Sequence, residues 1–270
     1  MMNPNTPTLS ELASLWQETL NWQPTPAQQT QFQHLYELIL EGNRQLNLTR
    51  ITEPEEFWEK HLWDSLRGVA PLFVNQDEPS QDEPSQDEPS QNAEPPLETT
   101  ASPFKVIDIG TGAGFPGVPI AIARPDWTLT LLDSTRKKIA FLDSLLLALA
   151  LQNAHTLVGR AEQVGRIPRH REQYDLALIR AVGSAAVCAE YALPLLKIGG
   201  LAVLYRGQWT EAEAEPFAAA VEQLGGAIAT IDPFTTPTTQ GIRHCLQLRK
   251  VAPTSPRFPR SGGSVQQPLV

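Results

Sequence analysis

A chain of 270 residues with 41% hydrophobic and 19% charged side chains is long enough to bury a sizeable core and has the composition of an ordinary globular protein. Its two cysteines, Cys188 and Cys245, have no metal-like spacing, which excludes a disulfide scaffold or a cysteine-held zinc site and fits a reducing compartment. The opening "MMNPNTPTLSELASLWQ" lacks a basic start followed by an apolar core, and no run reaches the ~18 apolar residues of a membrane span, so a cytoplasmic protein without a membrane partner is expected. The formal charge of −9 is unevenly placed. Asp77 to Glu98 carries eight acids and no Lys or Arg, leaving the remainder near −1, while no acid follows Asp232.

Three helices are expected first: Leu9–Leu20, Pro26–Asn43, with apolar Phe32, Leu35, Tyr36, Leu38, Ile39 and Leu40, and Glu53 to about Leu72, with Phe57, Trp58, Leu62 and Leu66 at helical spacing. The polar turn "NRQLNLTRI", which contains Asn47 and Arg50, separates the second from the third. Next come three exact copies of "QDEPS". One proline in five, like charges and little apolar surface give no offset to the entropy of ordering, so residues 75–102 read as a disordered acidic insertion. The chain is therefore divided into a helical segment 1–74, the insertion, a core 103–250 and a basic end 251–270.

After the insertion strands and helices alternate. Strands are expected at Lys105–Ile109, Leu129–Asp133, Thr156–Val158, Leu176–Ile179, Ala202–Tyr205 and His244–Leu248. Helices are expected at Gly117–Ala123, Thr135–Leu151, Ala185–Leu196 and Glu211–Leu224, with the five leucines of "LLLALAL" assigned to the core. This alternation predicts an α/β fold with a parallel sheet covered on both faces, and a ligand outside the carboxyl ends of the strands.

The loop after the first strand admits two readings. "GAGFPG" (Gly112 to Gly117), with Asp133 21 residues beyond Gly112, satisfies a dinucleotide pattern. Shifted by one frame, Asp108, Gly110, Gly112 and Gly114 form D-x-G-x-G-x-G, as in S-adenosylmethionine-dependent methyltransferases. A pyrophosphate needs bare backbone amides and is repelled by a nearby carboxylate, whereas a cationic amino group and sulfonium suit one, so Asp108 favours the methyltransferase.

In order along the chain, "NLTRI", "HLWDSL", "DIGTGAGFPGVPIAIARP", "LLDSTRKKIAFL", "GRAE", "YDLALIRAVG" and "PRFPRSGGSVQQPL" closely resemble the small-subunit ribosomal RNA guanine-N7 methyltransferase family known as glucose-inhibited division protein B. The resemblance runs from about Glu11 to the end and omits only the acidic repeat. Two departures are Gln266 and Gln267, where the family usually has lysines, and Arg206 in "LYRG", where it usually has a lysine.

The resemblance implies a Rossmann-like methyltransferase fold: a mostly parallel seven-stranded sheet with helices on both faces, preceded by N-terminal helices. It implies S-adenosyl-L-methionine as cofactor and small-subunit ribosomal RNA or the 30S particle as partner, with the chain acting as a monomer. Gly110, Gly112 and Gly114 would let the loop backbone approach the methionine part, and Phe115 packs on the cofactor or belongs to the core. Asp133 suits the ribose, with Ser134 or Thr135 either beside it or capping the next helix. Ala161 and Glu162 match the adenine-edge position. Arg180 ends strand four at the catalytic edge, or forms a structural salt bridge there. His61 and Asp64, three apart, either pair or point together at RNA, Asn47 and Arg50 either contact it or simply close their turn, and the basic C-terminal end and the N-terminal helices are expected to bind it. Guanine N7 has a lone pair and no proton, so its methylation needs no general base, and no catalytic residue and no metal ligand is assigned. A methyltransferase acting on another substrate, a cofactor-binding regulator and a dinucleotide oxidoreductase remain as alternatives.

Overall fold

The computed structural model describes residues 7–73 and 103–261. The reading of the acidic repeat, and of Gln266 and Gln267, lies outside these residues. Seven strands form one sheet in the order β3-β2-β1-β4-β5-β7-β6. They are β1 Lys105–Ile109, β2 Thr128–Asp133, β3 Ala154–Val158, β4 Tyr174–Arg180, β5 Leu196–Arg206, β6 Gly226–Thr235 and β7 Ile242–Lys250. β1 to β5 pair in parallel, and β7 runs antiparallel between β5 and β6. The strand order reverses at β1/β4, which places the loop after β1 where such sheets bind ligands.

The residue pattern pointed to six of these strands and missed β6. Its sequence, GAIATIDPFT, alternates poorly and contains Pro233, which an edge strand tolerates because one side of it has no ladder to complete.

The period of two divides the core. Val106, Leu129, Leu131, Leu176, Leu178, Leu201 and Val203 face one side, while Ile107, Ile109, Leu132, Ala177, Ile179, Ala202 and Leu204 face the other. The first side is covered by α5 Gly117–Ala123 and α6 Arg136–Ala148, and by the N-terminal helices, whose Trp16, Phe32, Tyr36 and Trp58 belong to the same buried cluster. The second side is covered by α8 Ala185–Ala192 and α9 Ala214–Gln223. Of the five leucines assigned to the core, Leu147 is 81% exposed, because consecutive leucines on a helix cannot all share one face.

α1 spans Ala13–Leu20, shorter than expected because Leu12 takes a left-handed conformation. α2 spans Pro26–Asn43 as expected, with Pro26 in its first turn and a reciprocal capping box between Thr25 and Gln28. The third expected helix is broken into α3 Pro54–Phe57, a π-helical stretch Trp58–Trp63, α4 Asp64–Arg67 and a 3₁₀ turn Ala70–Leu72. The widened π turn buries five of its six side chains, more than one face of a regular helix presents. Gly68 then lets α4 lie on β5: a Cβ there would stand 2.5 Å from the Tyr205 ring, whose hydroxyl donates to the Ser65 carbonyl at 2.8 Å. Among the described residues no helix is long and apolar enough to cross a membrane.

Candidate active site

Two cavities meet at the glycine loop, and Gly110 lines both. The smaller, about 220 Å³, opens at the ends of β1, β2 and β3, and Asp133, Ser134, Ala161 and Glu162 are in its wall. The larger, about 510 Å³, lies between the loop, the π-helical stretch with the start of α4, and the ends of β4 and β5. Its wall contains Lys60, Lys138, Arg180, Arg206 and Arg243, with Asp64 as the one carboxylate among the described lining residues.

The loop is built by its own hydrogen bonds. Gly110 and Thr111 donate their N–H groups to the Leu132 carbonyl, and Gly114 and Phe115 donate to that of Thr111. Gly112 N–H donates to Asp133 Oδ2 at 3.0 Å, and Thr135 N–H to Asp133 Oδ1 at 2.7 Å. Asp133 therefore ties the loop to the end of β2, and each of its oxygens keeps a further lone pair for a ligand.

The glycines have different reasons to be glycine. Gly110, Gly112 and Gly114 all have positive φ. At Gly112 a Cβ would find nothing nearer than 3.8 Å, so the space above this cradle is open to a ligand. At Gly114 a Cβ would meet Val118 at 2.7 Å and Leu142 at 3.1 Å. Gly114 lines neither cavity and serves the packing of the loop against α5 and α6.

Asp108 lines neither cavity. It points to the α5 side of the sheet, is 1% exposed, and accepts the Gly117 N–H at 2.8 Å, securing the start of α5 beneath the loop. Burial pushes its carboxyl up to about 6 against the pull of that N–H and of Arg180. Buried beneath the loop, Asp108 is not what would repel a pyrophosphate there. The amides of Gly110, Thr111, Gly112, Gly114, Phe115 and Gly117 are already satisfied internally, which leaves no nest for phosphate oxygens.

Ser134 is exposed at the smaller cavity, and Thr135 stands at the N-cap of α6 without a side-chain cap. Glu162 is only 4% exposed, in α7 Ala161–Val164, and is held by Arg160 at 2.5 Å. Four residues, about a single turn, give no helical signal in the sequence.

Phe115 and Arg180 line the larger cavity rather than the one holding Asp133. Phe115 is buried in the core and stacks on His61, with ring centres 4.2 Å apart and planes within 8°. Arg180 forms the salt bridge to Asp64 at 2.8 Å, donates to the Lys60 carbonyl at 3.1 Å, and lies over the Phe115 ring. His61 and Asp64 do not pair with each other: His61 Nε2 meets the Thr49 hydroxyl at 2.8 Å. Burial, helped by Arg180 and Lys60, pushes His61 down to about 3, so the ring is neutral. The polar turn before α3 is closed by Asn43, which accepts from Leu48 and Thr49 N–H and donates to the Thr49 carbonyl, rather than by Asn47 or Arg50.

The basic C-terminal end is largely structural in its described part. Lys250 is fully buried and donates to the Leu193 carbonyl and to the Thr254 hydroxyl, and Arg260 is held by the buried Glu190 at 2.8 Å. Arg243 alone of the five basic residues in this region lines the larger cavity.

The family model described as rRNA small subunit methyltransferase G matches residues 28–80 and 95–241. The chain belongs to this family. A ribosomal RNA small subunit methyltransferase G of Trichormus variabilis is 63% identical over 262 residues, covering 97% of this chain and 98% of that one. The protein of the same name from Trichodesmium erythraeum is 52% identical over 271 residues, covering 100% and 98%. That of Gloeobacter violaceus is 51% identical over 257 residues, covering 95% and 92%. The dinucleotide oxidoreductase reading falls with this membership. Sequence reasoning missed the Asp64–Arg180 bridge, since 116 residues separate its members; it read "TRKK" (Thr135–Lys138) as a solvated helix face or one that meets phosphates, but did not place Lys138 in one wall with Lys60, Arg206 and Arg243.

Proposed function

We propose that this member of the family transfers the methyl group of S-adenosylmethionine to N7 of a guanine in small-subunit ribosomal RNA. The observation that carries the reading is the pair of cavities joined at Gly110: one walled by Asp133 and Glu162, the other ringed by five cations. The smaller cavity fits an adenosine. Asp133 has free lone pairs for ribose hydroxyls, Ser134 and Ala161 line the same wall, and the open space over Gly112 admits the chain that carries the sulfonium. When bound, S-adenosylmethionine supplies an electrophilic methyl group.

The protein's own residues have a limited task. N7 carries its lone pair in the neutral base, so no side chain must remove a proton. His61, neutral and hydrogen-bonded to Thr49, stands in the wall without acting as a base. Catalysis then rests on alignment across the glycine loop. Lys60, Lys138, Arg206 and Arg243 draw phosphates to the cleft, so RNA affinity falls steeply with salt. The reaction belongs to the cytoplasm, on ribosomal RNA or the 30S particle, with a single chain supplying both cavities.

Tritium transfer from labelled S-adenosylmethionine to deproteinised ribosomal RNA and to 30S particles tests this, with the product mapped by cleavage chemistry selective for N7-methylguanine. Label at one guanine is expected. Label confined to protein, to small molecules or to another base atom would sink the reading.

A further inference from the structure

Guanine presents two chemically opposite edges. N7 and O6 are acceptors on one, whereas N1–H and the exocyclic amino group on the Watson–Crick edge are donors. For reaction at N7 the first edge must turn toward the glycine loop. The donor edge then turns away from it and must be met by the remaining walls, namely the helical stretch Lys60–Asp64, the end of β4 and the turn after β5. Cations there cannot accept a hydrogen bond. The Tyr205 hydroxyl, which donates to Ser65, and the His61 ring, whose Nε2 meets Thr49 and whose face lies on Phe115, keep only neutral, buried lone pairs, so Asp64 is the one charged acceptor in the described lining.

We propose that Asp64 is the residue that selects guanine, accepting hydrogen bonds from the Watson–Crick edge of the target base while Arg180 holds its carboxylate in place. This rests on the N7 reading above. Arg180 Nη1 donates to Asp64 Oδ2 at 2.8 Å, and no described residue donates to Oδ1. The Asp64 side chain is 14% exposed, accessible from the cleft but largely sheltered from competing water. Adenine would bring its N1 lone pair against the same carboxylate and be rejected. The carboxylate also places one negative charge in a cleft of cations, where the base becomes cationic on methylation.

The test compares an RNA fragment containing the mapped guanine with one carrying inosine there, which keeps N7 and N1–H but lacks the amino group. The unmodified protein should use inosine ten- to a hundredfold less well in kcat/KM. In Asp64→Asn, the amide oxygen remains for Arg180 and the NH₂ is turned to the base, so activity on guanine should fall and the guanine-to-inosine ratio should collapse toward one. Calorimetric affinity for S-adenosylmethionine should be unchanged. Arg180→Gln loosens the hold on the carboxylate without removing it, so it should lower the guanine-to-inosine ratio less than Asp64→Asn does. Equal use of guanine and inosine by the unmodified protein, or an unchanged ratio in Asp64→Asn, overturns the proposal alone. Methyl transfer to an atom other than guanine N7 overturns the underlying reading with it.

Discussion

Single side chains around the glycine loop separate binding from packing. Asp133 accepts N–H groups from Gly112 and Thr135 and, on the proposed reading, also meets the ribose hydroxyls. Asp133→Ala removes charge-assisted hydrogen bonds worth roughly 1.5–3 kcal/mol, so calorimetry should show S-adenosylmethionine affinity about ten- to a hundredfold weaker. Unaltered affinity would remove Asp133 from the site. Gly112 and Gly114 should part company. Gly112→Val fills open space at positive φ, so cofactor binding should be lost while the far-UV dichroism of the fold is kept. Gly114→Val drives a side chain into Val118 and Leu142, so soluble folded protein should itself be lost. Asp108 gives a pH test. Its carboxyl is raised to about 6 in the folded protein, so the folded state holds its proton more tightly than the unfolded chain. Stability then falls as pH rises between the unfolded value and about 6, and the full penalty, on the order of 2–3 kcal/mol, is present above that. Asp108→Asn keeps an acceptor for Gly117 N–H. The ligand-free variant should therefore melt higher than the parent at pH 8, with the difference vanishing below about pH 4. A variant that melts lower at pH 8 would show that the charge is not the cost.

The helical stretch from α3 to α4 is the element that completes the larger cavity, and one buried acid fixes it. Glu59, fully buried in the π turn, accepts N–H groups from Thr238 and Thr239 and the Thr239 hydroxyl, pinning the turn between β6 and β7 to the N-terminal helices. Burial alone would raise its carboxyl, and the hydrogen bonds from Thr239 and Thr238 outweigh this and hold it low. A carboxyl lowered on folding contributes stability above its unfolded value and loses it as pH falls through the folded one. Glu59→Ala should cost on the order of 3 kcal/mol near neutral pH, read as a fall in Tm that narrows in acid. An equal fall at all pH values would assign the effect to packing. This element also marks the limit of what the sequence conveys. The apolar spacing of Phe57, Trp58, Leu62 and Leu66 announces a helix, but a π turn has no residue signature, and without it His61 and Asp64 seem to share a face. The parallel strands, the loop and Asp133 were legible because glycine, burial and period are local signals. Arg180 was seen, but its partner was not, because a salt bridge between distant elements leaves no spacing to read.

Across the whole molecule the charge is divided between a cleft of cations and the acidic repeat of residues 76–90. On the proposed reading, a chain of net charge −9 serves a polyanion through the cations of the cleft, because charge beyond about 8–10 Å is largely screened at physiological salt. The described core closes without the repeat. Both buried clusters, all seven strands and both cavities are made from residues before 74 and after 102. Deleting Gln76–Gln91 removes six acids and no base, and it takes nothing from either cluster. The shortened chain should therefore keep its cofactor affinity and its methyl-transfer rate at physiological salt, with a Tm close to that of the full chain. At low salt, where screening fails, loss of the acids should strengthen RNA binding rather than weaken it. A Tm lower by several degrees, equivalent to about 1 kcal/mol or more for a domain of this size, would instead make the repeat part of the folded structure.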